Sequence, residues 1–242
     1  MSALLEVSGL SRRFGGLLAV NDVSFSVGQG AIVGLLGPNG SGKTTVLNMI
    51  SGHLLPSGGD ISLHGKRISG LGASRISKHG VARTFQLVRA LPSLTVVENV
   101  TVALAFGRQK LWGVAARERA MGFLDQVGLA HRADHLAEDL TYIDQKRMEL
   151  ARALAADPEL LLLDEWLAGL NPTELQSGIG LIRSLGSSGI TILMVEHVME
   201  AIRALCSQCV IMNAGVKIAD APTADALSDP AVITAYLGEQ HA

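Results

Sequence analysis

The eight residues Gly37-Pro38-Asn39-Gly40-Ser41-Gly42-Lys43-Thr44 fit the spacing G-x-x-x-x-G-K-[ST], which suits one task, the gripping of phosphate groups. Glycines let the backbone curl until successive N–H groups point inward at an anion. Lys43 adds a mobile positive charge for the outer phosphates, and the Thr44 hydroxyl can ligate Mg²⁺. Candidate nucleotide contacts are therefore Gly37, Pro38, Asn39, Gly40, Ser41, Gly42, Lys43, Thr44 and Thr45. The flanks agree with this reading. Residues 31–36 read as a short buried strand, and residues 44–50 read as a helix whose positive N-terminus faces the anion.

A second group of residues complements the first. The apolar run 160–163 ends in Asp164-Glu165. A carboxylate at the C-terminal end of a central strand sits beside the phosphate loop of a parallel sheet. Asp164 is expected to hold Mg²⁺, directly or through water, and Glu165 to polarise the attacking water. His197 follows another apolar run, 189–195, at a place where it could sense a γ-phosphate and orient water. Gln86 is read as ending a strand, from which its amide can reach metal or water. The expected catalytic set is Glu165, His197, Gln86 and Lys43, and the expected metal set is Thr44, Gln86 and Asp164.

Strands at 4–10, 22–27, 61–63, 80–85 and 209–212, with a helix at 73–79, complete the pieces that hold these residues. From Thr95 to Leu140 the pattern turns helical. Thr95 and Glu98 form a capping-box pair ahead of a helix over 96–106, and a second helix over 115–127 stops at Gly128. Thr141 and Asp144 repeat the capping-box pattern ahead of a helix over 143–156. Alternating strands and helices on both sides of this helical stretch predict an α/β sheet covered on both faces. The tail, 222–237, reads as two short helices.

Composition sets bounds. The chain has 242 residues, 48% hydrophobic and 17% charged, enough for one large domain with a substantial core. A formal net charge of −2 and no basic stripe argue against a broad nucleic-acid surface. Cys206 and Cys209 could form a redox pair or half a zinc site, but they flank an apolar strand and read as buried thiols. Residues 1–10 do not read as a signal peptide, and no run of about 18 apolar residues suggests a membrane span.

Taken in order, the phosphate loop, Gln86, the segment Leu140-Thr141-Tyr142-Ile143-Asp144, Asp164-Glu165, residues 168–171 and His197 resemble an ATP-binding cassette (ABC) ATPase over essentially the whole chain. Residues 83–86, 94–100, 168–174 and 228–239 look like the ATPase subunits of branched-chain amino acid importers. Related ATPases for urea or amide import and for lipopolysaccharide export share much of this pattern. The resemblance implies a P-loop NTPase (RecA-like) α/β core, with an N-terminal antiparallel β subdomain and an inserted α-helical lobe. It implies one domain over 1–242, with 1–86 and 157–242 as core and about 87–156 as the lobe. It places Phe14 on the adenine-stacking position, with Val20 near it; from the residue alone Phe14 could equally be core. The implied cofactors are ATP and Mg²⁺. The implied partners are integral membrane permease subunits and a second cassette, a sister subunit or a second copy. The implied location is peripheral, at the cytoplasmic face of the plasma membrane.

Three departures stand out. The family's signature reads L-S-G-G-Q, and its backbone N–H groups act across a dimer on the partner's γ-phosphate. Here Thr141, Tyr142, Ile143 and Asp144 occupy it. Ile143 keeps its N–H but adds a branched side chain where a glycine is expected, so the site it closes should turn over slowly unless Ile143 packs outward. Trp166 replaces the proline that usually follows the catalytic Glu, and Asn171 stands where Asp is commoner. A slowly hydrolysing regulatory module is the alternative these changes support; intact Lys43, Asp164, Glu165 and His197 count against it. A non-transport ABC protein usually has two cassettes or a coiled-coil insertion, and this chain has neither. A GTPase would want an N-K-x-D motif, which is absent.

Overall fold

The computed structural model describes residues 3–237. The strands are β1 (Ala3–Phe14), β2 (Leu17–Gly28), β3 (Ile32–Leu36), β4 (Gly58–Leu63), β5 (Lys66–Arg67), β6 (Val81–Arg83), β7 (Leu160–Asp164), β8 (Thr191–Val195), β9 (Gln208–Asn213) and β10 (Val216–Pro222). The α-helices are α1 (Lys43–Ile50), α2 (Ala73–Lys78), α3 (Val96–Phe106), α4 (Gly113–Gln126), α5 (Tyr142–Ala155), α6 (Pro172–Ser187), α7 (Met199–Leu205), α8 (Thr223–Ser228) and α9 (Pro230–Leu237). Of the importer-like tail, Gly238 and Glu239 lie outside the described residues.

One sheet has six strands in the order β10-β9-β3-β8-β7-β6, parallel except for β10. Its apolar runs are buried on both faces, as a covered parallel sheet requires. Leu161, Leu163, Ile192, Met194 and Ile211 pack with helices α5 and α6, while Leu160, Leu162, Leu193, Val195 and Val210 pack against α1 and the second sheet. That second sheet is antiparallel, in the order β2-β1-β4-β5. The expected cover on both faces is thus met by helices on one side and by α1 with an antiparallel sheet on the other.

Helices α3, α4 and α5 pack on one another through Val97, Val100, Leu104, Ala116, Ala120, Leu124 and Leu150. Thr95 caps α3 with the reciprocal Glu98 bond, as the sequence predicts. At α5 only half of the predicted box forms. Thr141 accepts from the Asp144 N–H at 3.4 Å, and the Asp144 carboxylate lies 3.7 Å from Arg147.

The strands differ from the sequence reading at three places. The first hairpin runs to Phe14 and resumes at Leu17, because register shifts in β1 break the alternation that would mark Ser11–Phe14 as strand. β10 is an edge strand with mixed burial, so it has little apolar signal. β6 stops at Arg83, and Gln86 lies in the loop beyond rather than at the strand's end. The cysteines are buried, with both sulfurs 3.3 Å from where a Cβ on Gly34 would stand. Gly34 lets two thiols press onto the centre of β3.

Candidate active site

Because β3, β6, β7 and β8 run parallel, their C-terminal ends share one edge of the sheet. The phosphate loop follows β3, Thr84 to Gln86 follow β6, Glu165 follows β7 and His197 follows β8. Residues more than 150 positions apart in sequence are brought together by topology alone.

The loop's shape depends on two glycines. Gly37 has φ 142°, and a Cβ there would sit 2.0 Å from the Met212 carbonyl. Gly42 has φ 103°, and a Cβ there would meet the Ala19 carbonyl at 2.7 Å. Backbone packs on backbone at both points, so no other residue fits. Lys43 Nζ lies 2.7 Å from the carbonyls of Gly37 and Pro38, which hold the ammonium against the loop it serves. A cavity is lined by Ala19, Asn39, Gly40, Gly42, Lys43, Thr44, Thr45 and Glu165. Ser41 is buried behind it. Val20 is buried beneath Gly42. Phe14 does not line this cavity; it is half-exposed at the hairpin tip, with the Arg12 guanidinium 4.7 Å from its ring centre.

Glu165 is bracketed. Its Oε1 lies 2.7 Å from His197 Nε2, and its Oε2 accepts from Gln86 Nε2 at 2.7 Å. Each carboxylate oxygen therefore has one fixed partner. The Glu165 backbone has φ 52°, a left-handed conformation that costs a non-glycine residue about 1–3 kcal/mol. The surrounding contacts must over-determine it.

Asp164 is buried, and its Oδ2 accepts from Arg83 at 2.8 Å. Arg83 also donates to Asn48 Oδ1 at 2.7 Å and to Ser51 Oγ at 3.0 Å, tying β6 to α1 and β7. The sequence reading used Arg83 only as part of a pattern. Nothing local in the sequence marks it as the counter-charge of a residue 81 positions away.

Thr141, Tyr142, Ile143 and Asp144 form the N-terminus of α5 and line none of the phosphate-loop cavity. Tyr142 is half-exposed. Ile143 lines a crevice with Arg147, Trp166 and Gly178. In that crevice Ile143 is half-buried.

Glu196, which the sequence reading passed over, is 1% exposed. Its Oε1 accepts from the Leu167 N–H at 2.7 Å, and its Oε2 is buried without a partner among the described residues. Burial pushes its carboxyl up from 4.5 to about 7. A group raised on folding stabilises most below its unfolded value and loses that contribution as pH rises through its folded value. This group should therefore make the wild-type chain less stable at pH 8 than at pH 5, by about 2.5 kcal/mol. Urea unfolding at the two pH values checks this. Glu196→Gln should remove most of the difference.

The sequence and fold were compared with known proteins. Residues 20–168 match the ABC transporter family, and residues 216–242 match the pattern of the branched-chain amino acid ATP-binding cassette transporter. The chain is 41% identical to the high-affinity branched-chain amino acid transport ATP-binding protein LivG of Salmonella typhimurium, covering 98% of each. It is equally similar to BraF of Pseudomonas aeruginosa, at 41% with 98% of each covered. It is 33% identical to the lipopolysaccharide export system ATP-binding protein LptB of Haemophilus influenzae, again over 98% of each. Among solved structures, an ATP-binding cassette of an ABC transporter in its ADP conformation superposes with a TM-score of 0.89 at 28% identity, covering 98% of this chain and 100% of that one. A phosphate loop at one sheet edge, a carboxylate held between an amide and an imidazole, and these full-length matches agree: the chain belongs to the ATP-binding cassette ATPases of ABC transporters.

Proposed function

We propose that this chain hydrolyses ATP to drive a membrane permease that imports branched-chain amino acids. The observation that carries the chemistry is Glu165, fixed at 2.7 Å by both Gln86 and His197 and lining the phosphate-loop cavity. Glu165 accepts the proton of a water that attacks the γ-phosphorus, as the bond to the ADP oxygen breaks. His197 and Gln86 hold the carboxylate at the angle this requires, and His197 Nε2–H donates to its ionised form. Lys43 and the loop amides of Gly40, Ser41, Gly42, Thr44 and Thr45 hold the phosphates. Thr44, Asp164 and Gln86 fit Mg²⁺: they offer hydroxyl, carboxylate and amide oxygens, the hard donors this ion prefers. Gln86 donates its Nε2–H to Glu165, so it is the amide oxygen that would serve the metal. When bound, Mg²⁺ neutralises charge that develops on the phosphates.

Several observations support the wider reading. Two relatives at 41% identity are named for branched-chain amino acid transport, against 33% for the lipopolysaccharide export protein, and the C-terminal residues match the branched-chain amino acid ATP-binding cassette transporter pattern. Among the described residues no helix is long and apolar enough to cross a membrane, so permease subunits would supply the channel and this chain would sit peripherally on their cytoplasmic side. One solved cassette of this fold is dimeric, which supports a second cassette as partner. In that dimer Thr141, Tyr142, Ile143 and Asp144 would close the partner's ATP site. The domain would divide into a core of 1–86 and 157–242 with a lobe over about 87–156.

The test is uptake of labelled leucine, isoleucine and valine in the native host lacking this chain. Uptake should fall at least tenfold, return with the wild-type chain and stay lost with Lys43→Ala. Unchanged uptake of all three would overturn the substrate assignment.

A further inference from the structure

Lys146 stands one turn into α5, behind the segment 141–144, and is only 2% exposed. Burying an ammonium costs several kcal/mol unless every proton finds a partner. Among the described residues Lys146 has no carboxylate within salt-bridge distance. Its three N–H groups go instead to three backbone carbonyls of the turn after β7: Glu165 at 3.2 Å, Trp166 at 2.9 Å and Ala168 at 2.8 Å. The contact is reciprocal, since Trp166 Nε1 donates to the Lys146 carbonyl at 3.1 Å. Tyr142 covers the ammonium, its ring centre 4.8 Å away. Within the same turn the Leu167 N–H donates to Glu196. The turn that begins with the strained Glu165 is thus held by its carbonyls from α5 and by its amide from the end of β8.

We propose that Lys146 is the positioning residue for Glu165, and that it ties the orientation of the Thr141–Asp144 segment to the aim of the catalytic carboxylate. Lys146 touches no reacting atom. It fixes the left-handed backbone that directs Glu165 between Gln86 and His197. Because it is rooted in α5, a rotation of that helix pulls on the Glu165, Trp166 and Ala168 carbonyls together. Trp166 extends the same joint: it is buried against Gly178 of α6 and shares its crevice with Ile143. Two of the three departures from the family pattern, Ile143 and Trp166, therefore line one crevice between the helix and the catalytic turn. This inference rests on the role given to Glu165 above.

Steady-state ATP hydrolysis by the full-length chain in its transporter tests it, with wild type, Glu165→Gln, Lys146→Met, Lys146→Gln and Lys146→Arg. Lys146→Met and Lys146→Gln should lower kcat about 10- to 100-fold while KM for ATP changes less than about twofold, as expected for a misplaced catalytic group with intact binding. Lys146→Arg should recover to within about threefold of wild type, since a guanidinium can reach the same carbonyls. Adding Lys146→Met to Glu165→Gln should cost no more than about twofold further, because no aimed carboxylate remains. If Lys146→Met does not fold, the Gln and Arg variants decide the matter by the same criteria. Wild-type kcat in the Met or Gln variants would overturn the proposal while leaving Glu165 as the base. So would a further tenfold loss in the double variant. Wild-type activity in Glu165→Gln would instead overturn the reading on which it rests.

Discussion

Glu165→Gln should bind ATP within about threefold of wild type and hydrolyse it 10²- to 10⁴-fold more slowly, roughly 3–5 kcal/mol of transition-state stabilisation. The amide has the carboxylate's shape, so the 2.7 Å contacts with Gln86 and His197 have a near-isosteric replacement. It cannot accept the proton that leaves water, and among the described residues no other carboxylate lines the cavity. Backbone strain at φ 52° is unchanged by the substitution, so the thermal midpoint should stay close to wild type. Phosphate release and equilibrium binding of a fluorescent ATP analogue separate the two effects. Equal loss of binding and turnover would mean that Glu165 grips nucleotide rather than activating water.

Arg83→Met should destabilise the chain by about 3–5 kcal/mol. The Arg83 and Asp164 side chains are 5% and 4% exposed, so removing the cation strands a carboxylate in a poorly solvated place. Asn48 Oδ1 and Ser51 Oγ lose donors at the same time. The substitution also removes the donor that orients the Asp164 carboxylate, the group proposed to hold Mg²⁺. Urea unfolding reads the first effect, and the Mg²⁺ dependence of hydrolysis reads the second. The double variant Arg83→Met with Asp164→Leu should regain part of the lost stability but no activity, since the buried charge is gone and so is a ligand. A change below about 1 kcal/mol in Arg83→Met would show that water reaches Asp164 freely.

What could be read from sequence follows the range of each interaction. The phosphate loop, its flanking strand and its helix are local, and each residue type there has a stereochemical reason that spacing alone exposes. Glu165 and His197 end continuous apolar runs, and a parallel sheet gathers such ends at one edge. For Gln86 the sequence indicates the right neighbourhood but the wrong element, because β6 is only three residues long and ends at Arg83. Arg83, Lys146 and Glu196 were beyond reach. Each is a polar side chain inside an apolar environment, and its purpose depends on partners 19 to 81 positions away. In isolation Lys146 reads as a solvated helix residue. Only the structure shows its three N–H groups spent on one turn. The long hairpin β1–β2 was truncated because its register shifts erase the period-two pattern just where the chain approaches the phosphate loop. Phe14 is a different case: from the residue alone it could be core, the resemblance places it on the adenine-stacking position, and the structure has it half-exposed at the hairpin tip with Arg12 over its ring.

A crystal structure of the Glu165→Gln variant with MgATP is the most direct test of the account. It should show the triphosphate wrapped by residues 37–45, with Lys43 Nζ and the loop amides about 3 Å from phosphate oxygens and residue 165 facing the γ-phosphate. Thr44 Oγ1 should contact the metal. A triphosphate seated elsewhere, with the cavity around Gly40, Lys43 and Thr44 left without phosphate, would contradict it.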